Sequence, residues 1–208
     1  MNPSVERQLT IQHIKSLLIQ ERYFRDTAQW QNLRNAYHPD ASQTSINITW
    51  FEGDIDGFVS GSEQMMNGGT RATHSICPVS VHVNGEKAVS ESTGSINIRF
   101  MVGDCSYDCT SYTRFVSRLQ RVDGKWKILT LEAIYERDTI IPVFPTLSNT
   151  PFVLNYPRNS YKCIAWILAR KGFEINRNLP GIDLPLSVSK LMENSWTWLG
   201  RSESSYSG

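Results

Sequence analysis

Long runs of any one character are what this sequence lacks. Like charges do not cluster: 21 Lys and Arg against 20 Asp and Glu leave a formal net charge of +1 over 208 residues. Without a concentrated basic surface there is little to neutralise a phosphate backbone, so nucleic acid is not an expected partner. The opening segment, MNPSVERQLTIQHIKSLL, sets Glu, Arg, Gln, His and Lys among its apolar positions. It has neither the apolar stretch of a signal peptide nor the length of a membrane span. A soluble cytoplasmic protein without membrane contact is the expectation. Cysteine is scarce as well. Of Cys77, Cys105, Cys109 and Cys163 only the middle two lie close in sequence, and no second pair completes a zinc site. The four therefore read as reduced thiols, and no metal is expected.

What is present suits one ordinary core. Apolar residues make up 40% of the chain and charged ones 20%, enough for a single domain and a small appendage. Ile11, Ile14, Leu17 and Leu18 fall on one stripe of an opening amphipathic helix from about 5 to 21. Asp26 then reads as the N-cap of a short second helix ending near Tyr37, where His38-Pro39-Asp40 breaks it. A strand is expected over 45–50, and a third short helix before Asn67-Gly68-Gly69. Beyond that the pattern changes. Residues 74–83 alternate and are rich in Val, Asn84-Gly85 is a tight turn, and 87–100 form the returning strand. Residues 109–122 make a long strand, Asp123-Gly124 the next turn, and 125–137 the last strand. Three helices before a curled antiparallel sheet predict an α+β domain over 1–142, with a ligand pocket between helices and sheet. Pro142, Pro145 and Pro151 mark a linker into a helical extension over 143–208. Its helices are too short for a core of their own, so they must dock on the domain or on a neighbouring subunit, as a lid or a dimer contact.

Three segments, ERYFRDTAQWQNLRNAYHPDA at 21–41, THSICPVSVHVNGEKA at 73–88 and SRLQRVDGKWKILTLEAIYERD at 117–138, together resemble the SnoaL-like family of the nuclear-transport-factor-2-like superfamily. That family includes polyketide cyclases, scytalone dehydratase, bile-acid dehydratase and fungal isomerases of secondary metabolism. The resemblance covers about residues 5–142 and implies a cone-shaped α+β fold around a pocket. It places Tyr23, Asp26 and His74 where the dehydratases keep their pocket Tyr, Asp and His.

These residue types permit proton-transfer chemistry without a cofactor. A neutral imidazole at His74 can take a proton from carbon next to a carbonyl. A carboxylate at Asp26 can fix its tautomer, and a phenol at Tyr23 can donate to the oxygen on which charge develops. Each has an ordinary role beside this one: strand histidine, helix N-cap and core aromatic. His13, His38 and His82 read as structural. The dehydratase pattern has a second pocket histidine on the next strand, where 87–100 contain none and Asn97 is the nearest polar substitute. That departure moves the expectation from dehydration to isomerisation or cyclisation of a polyketide or terpenoid intermediate. Asn97, Thr113, Phe115 and Arg137 are the expected substrate-binding residues, with the register of the last strand, Glu132 or Arg137 inward, left open. Three other readings stand beside this one: a dehydratase, a non-catalytic binding or dimerising module, and a hydrolase of an epoxide or lactone. A homodimer is expected because the convex face of such a sheet carries Val and Tyr that a monomer would expose.

Overall fold

The computed structural model describes residues 3–145 and 156–200. Most of the expected linker after Pro145, including Pro151, lies outside the described residues. Helix α1 runs over Pro3–Asp26, a full turn past the expected end, and α2 over Trp30–Ala36. Strands β1 (Ser45–Ile48) and β2 (Phe51–Gly53) form a hairpin where one strand was expected. Helix α3 covers Ile55–Asn67, capped by Asp54, whose carboxylate accepts from Gly57 N–H at 2.8 Å. Then come β3 (Ala72–Asn84), β4 (Lys87–Val102), β5 (Cys105–Val122), β6 (Lys125–Ile128) and β7 (Thr130–Pro142). The turns after Asn84 and Val122 close as the dipeptides predict, with Gly85, Asp123 and Gly124 all at positive φ.

The strands make one curved, unclosed sheet in the order β2-β1-β7-β5-β4-β3, with β6 paired to β5. The sheet is not wholly antiparallel, because β1 lies parallel to β7. Strand β3 is an edge, which is why Pro78 is tolerated in it beside a register shift. The concave face holds the main core: Ile14 and Leu18 of α1, Leu33 of α2, Ile55 and Phe58 of α3, and inward strand residues such as Ile46, Ile98, Phe115 and Tyr135.

The C-terminal extension docks on this same chain in two places. Helix α4 (Lys162–Arg170) joins the concave core through Cys163, Ile164, Ala165, Ile167 and Leu168. Helix α5 (Pro185–Leu199) covers the other face, where Leu191, Trp196 and Leu199 pack on Val89, Val116 and Ile134. The convex apolar residues on which the dimer expectation rested are thus partly covered within the chain. Between the helices, residues 180–182 run beside β7: Tyr135 N–H donates to Pro180 O at 2.9 Å and Ile182 N–H to Tyr135 O at 3.0 Å. Gly181 is needed there, since a Cβ would come within 2.5 Å of Ser160 Oγ and 2.7 Å of Asp183 Oδ1.

Candidate active site

The end of α1 and the start of β3 meet at the floor of the cone. Ala28, at φ +58, takes the left-handed conformation that stops α1 just after Asp26. Asp26 is therefore the last residue of α1 and does not cap α2, whose N-cap is Gln29 without a side-chain bond. Its carboxylate instead crosses to β3. His74 N–H donates to Oδ2 at 2.6 Å, and His74 Nδ1 lies 2.7 Å from Oδ1. Both side chains are nearly enclosed, at 7% and 13% exposure. Burial lowers the His74 pKa, and Asp26 offsets this only in part because Arg25 and Arg22 oppose a second positive charge. Burial works the other way on Asp26, but the hydrogen bonds and charge from His74, with Arg25 behind them, hold it below its ordinary value. The imidazole is neutral at neutral pH. With Nδ1–H donated to the carboxylate, the lone pair is on Nε2, which has no hydrogen bond among the described residues.

The space beside His74 is small and mostly apolar. Its walls cross the sheet from Ile48 on β1 and Tyr135 on β7 to Phe115 on β5, Ile96 and Ile98 on β4, and Ala72 and His74 on β3. Arg22 and Arg25 of α1, and Ile164 and Leu168 of α4, complete the lining. The volume left is about 30 Å³, room for about one or two water molecules. Tyr135 is fully buried; its hydroxyl accepts from Thr49 N–H at 3.0 Å and pairs with Thr49 Oγ1. Burial raises its pKa to about 12, so it stays a neutral phenol. Among the described residues no three His, Cys, Asp or Glu side chains gather as metal ligands. The four cysteines are free thiols, and burial pushes that of Cys163 up to about 12.

The expected site residues are distributed unevenly. Asp26, His74 and Phe115 meet at the cavity, but Tyr23 does not. It is 58% exposed and lies beside Phe24, with ring centroids 6.3 Å apart. Because α1 stays helical through 26, its period carries Glu21, Arg22 and Arg25 inward and turns Tyr23 out. Asn97 also fails, by parity. Ile96 and Ile98 face in, so Asn97 faces out, where it donates to Ser95 Oγ at 3.1 Å and accepts from Thr110 Oγ1 at 3.0 Å. Thr113 is buried on the inner face outside the cavity lining, and its hydroxyl, like that of Ser111, has no partner among the described residues.

Arg137 is displaced by a bulge. Tyr112 pairs with Arg137 but Thr113 pairs with Tyr135, so Glu136 is the extra residue. Before it the inward residues of β7 are 131, 133 and 135; beyond it Asp138 points in. Arg137 is exposed and stacks on the Tyr112 ring at 3.9 Å, while Glu132 lies away from the cavity, with Arg118 the charge nearest it. Neither residue left open by the register question reaches the cavity. Arg22, Arg25 and Tyr135 do reach it, and the two arginines went unassigned because arginine is so seldom buried.

The comparisons bear on family and fold. Residues 6–132 match the family model described as a SnoaL-like domain. A relative, the pea pathogenicity protein 2 of Fusarium vanettenii, is 27% identical over 167 residues, covering 76% of this chain and 69% of that protein. A hexachlorocyclohexane dehydrochlorinase structure superposes with a TM-score of 0.58 at 14% identity, over 71% of this chain and 99% of the other. A candidate scytalone dehydratase from Novosphingobium aromaticivorans superposes at 0.55 with 15% identity, over 72% and 97%. At such identities these two structures share the fold and no more. With the family model spanning well over half of its length, the chain belongs to the SnoaL-like domain family and has the nuclear-transport-factor-2-like fold.

Proposed function

We propose that the chain is an acid–base enzyme that removes a proton from carbon next to the carbonyl of a small, largely apolar molecule, with no cofactor in the step. The supporting observation is the dyad: Asp26 on Nδ1 of a neutral, enclosed His74 that lines the cavity, with Nε2 left free of hydrogen bonds among the described residues. Dehydration and dehydrochlorination, the reactions in the names of two structural neighbours, are eliminations that also lose a carbon-bound proton. One base and no second titratable acid of suitable pKa at the cavity favour a reaction in which the same group takes the proton and returns it, an isomerisation or cyclisation. A polyketide or terpenoid intermediate of fungal secondary metabolism is the substrate class, in keeping with the fungal relative.

Such a substrate needs more than about 30 Å³, so α4 withdraws to admit it and Ile164 and Leu168 are the side chains that give way. The small volume also favours a second reading, in which α4 fills the cone permanently and the chain is a binding or assembly module. Hydrogen–deuterium exchange of acetylacetone, followed by NMR in heavy water, separates the two. The first reading expects the protein to accelerate exchange over buffer and His74→Ala to abolish that acceleration while its circular dichroism is unchanged. Equal exchange in wild type and buffer sinks it in favour of the second.

A further inference from the structure

Two guanidiniums beside a catalytic imidazole are an expensive arrangement, and they are not equivalent. Arg22 is paired with a carboxylate of its own: its Nε and Nη2 donate to Glu21, whose Oε1 also accepts from Tyr37 O–H at 2.9 Å. Its charge is therefore matched. Arg25, equally buried at 3% exposure, is poorly served. Nη1 donates to Ala72 O at 3.2 Å, and Nη2 has only the Met65 thioether at 3.4 Å, a weak acceptor. Asp26 approaches no closer than 3.5 Å, and both of its oxygens already accept from His74. Nε of Arg25 has no hydrogen bond among the described residues. Five donors thus face one carbonyl, one sulfur and one distant carboxylate. Burial works against the Arg25 charge, Asp26 only partly offsets it, and Arg22 adds repulsion.

A buried cation with spare donors at a cavity wall is a receptor for an oxyanion. Resting on the reading of His74 as the base, we infer that Arg25 binds the substrate oxygen on which negative charge develops, and that the substrate is an acidic carbonyl compound of the β-dicarbonyl class. The C–H proton passes to His74 Nε2, the electron pair of that bond moves into the enolate, and the enolate oxygen takes the place of the Met65 sulfur on Arg25. Return of the proton from Nε2 to another carbon completes the isomerisation. Tyr135 O–H, on the sheet side of the cavity, is a further donor to the oxygens of a dicarbonyl. Arg25 fills the role that sequence reading gave to Tyr23.

Formate is small enough to probe this site without displacing α4. Calorimetric titration of the whole protein with sodium formate is expected to show saturable binding that weakens at least tenfold in Arg25→Lys, which keeps the charge but loses the planar fork, and disappears in Arg25→Gln. His74→Asn is expected to keep it. Bound formate should also shift the His74 Nε2 signal in nitrogen-resolved spectra, which a merely structural Arg25 would not cause. Acetylacetone exchange should fall about 10²–10³-fold in Arg25→Gln. No saturable binding to wild type, or equal binding by both Arg25 variants, overturns the assignment; if Arg25→Gln does not fold, Arg25→Lys decides. Arg25-dependent formate binding with no exchange by wild type upholds the anion site while refuting the base.

Discussion

Helices α4 and α5 belong to one extension yet do opposite things to the domain they cover. Helix α4 enters the concave side and takes up the space that a pocket would need, whereas α5 lies on the convex side and hides apolar residues that would otherwise face solvent. Their anchoring acids differ in the same sense. Asp138 reaches from β7 to accept from the N–H groups of Cys163 and Ile164 at 2.7 and 2.9 Å, but its Oδ1 is buried without a partner and burial raises its pKa. Asp183, ahead of α5, is gripped by Arg158 and Ser160 and lowered to about 2. The helix over the candidate active site is held by a carboxylate with one oxygen unpartnered, the helix over the back by one that is fully paired.

The sharpest way to break this contrast is to damage each helix and watch His74. Trp196→Ala in α5 removes a large side chain from the convex cluster, including its edge-on contact with His82 at 4.9 Å, and should cost about 3–5 kcal/mol in urea unfolding. It should leave the His74 ring signals in place. Leu168→Ala in α4 should cost a similar or smaller amount, about 2–5 kcal/mol. Unlike the first variant, it should enlarge the cavity, admit xenon detectably by NMR and shift His74. If Trp196→Ala moves His74 as much as Leu168→Ala does, the division of labour is wrong.

The acids give smaller, pH-dependent effects of opposite sign. Asp183 has a folded pKa below its unfolded value, so its contribution is present above the ordinary carboxylate range and is lost as pH falls towards about 2. Asp183→Asn should remove about 1 kcal/mol near neutral pH, since solvent screens much of this partly exposed pair, and flatten the acid side of the stability profile. Asp138 has a raised folded pKa, so its contribution is greatest when protonated and fades as pH rises through that folded value. Asp138→Asn should therefore match or slightly exceed wild type at neutral pH, by about 1 kcal/mol or less, and fall behind in acid. Parallel pH profiles for the two variants would remove the distinction.

The fold was largely legible because its signals are local. Apolar spacing in α1, Asn84-Gly85 and Asp123-Gly124 each act over a few residues, and the order of helices before strands follows from them. The site was legible only where a resemblance supplied long-range information, as for Asp26 and His74, which are 48 residues apart yet touch. Positions that depended on phase were misread. One extra helical turn rotated Tyr23 out and Arg22 and Arg25 in, and strand parity put Asn97 on the wrong side. No composition or turn chemistry announces these shifts, because they are set by where an element stops.

The bulge at Glu136 shows what a change of phase can build. A regular β7 that kept Tyr135 inward would also keep Arg137 inward and send Asp138 to the outside. By gaining one residue, the strand aims Tyr135 at the cavity and, three residues on, Asp138 at the N-terminus of α4. Cavity wall and helix anchor are thus set by one strand, in which Arg137 and Asp138 pair with Tyr112 and Ser111 beyond the extra residue. Deletion of Glu136 would leave those pairs in place and remove the bend that the extra residue gives the strand.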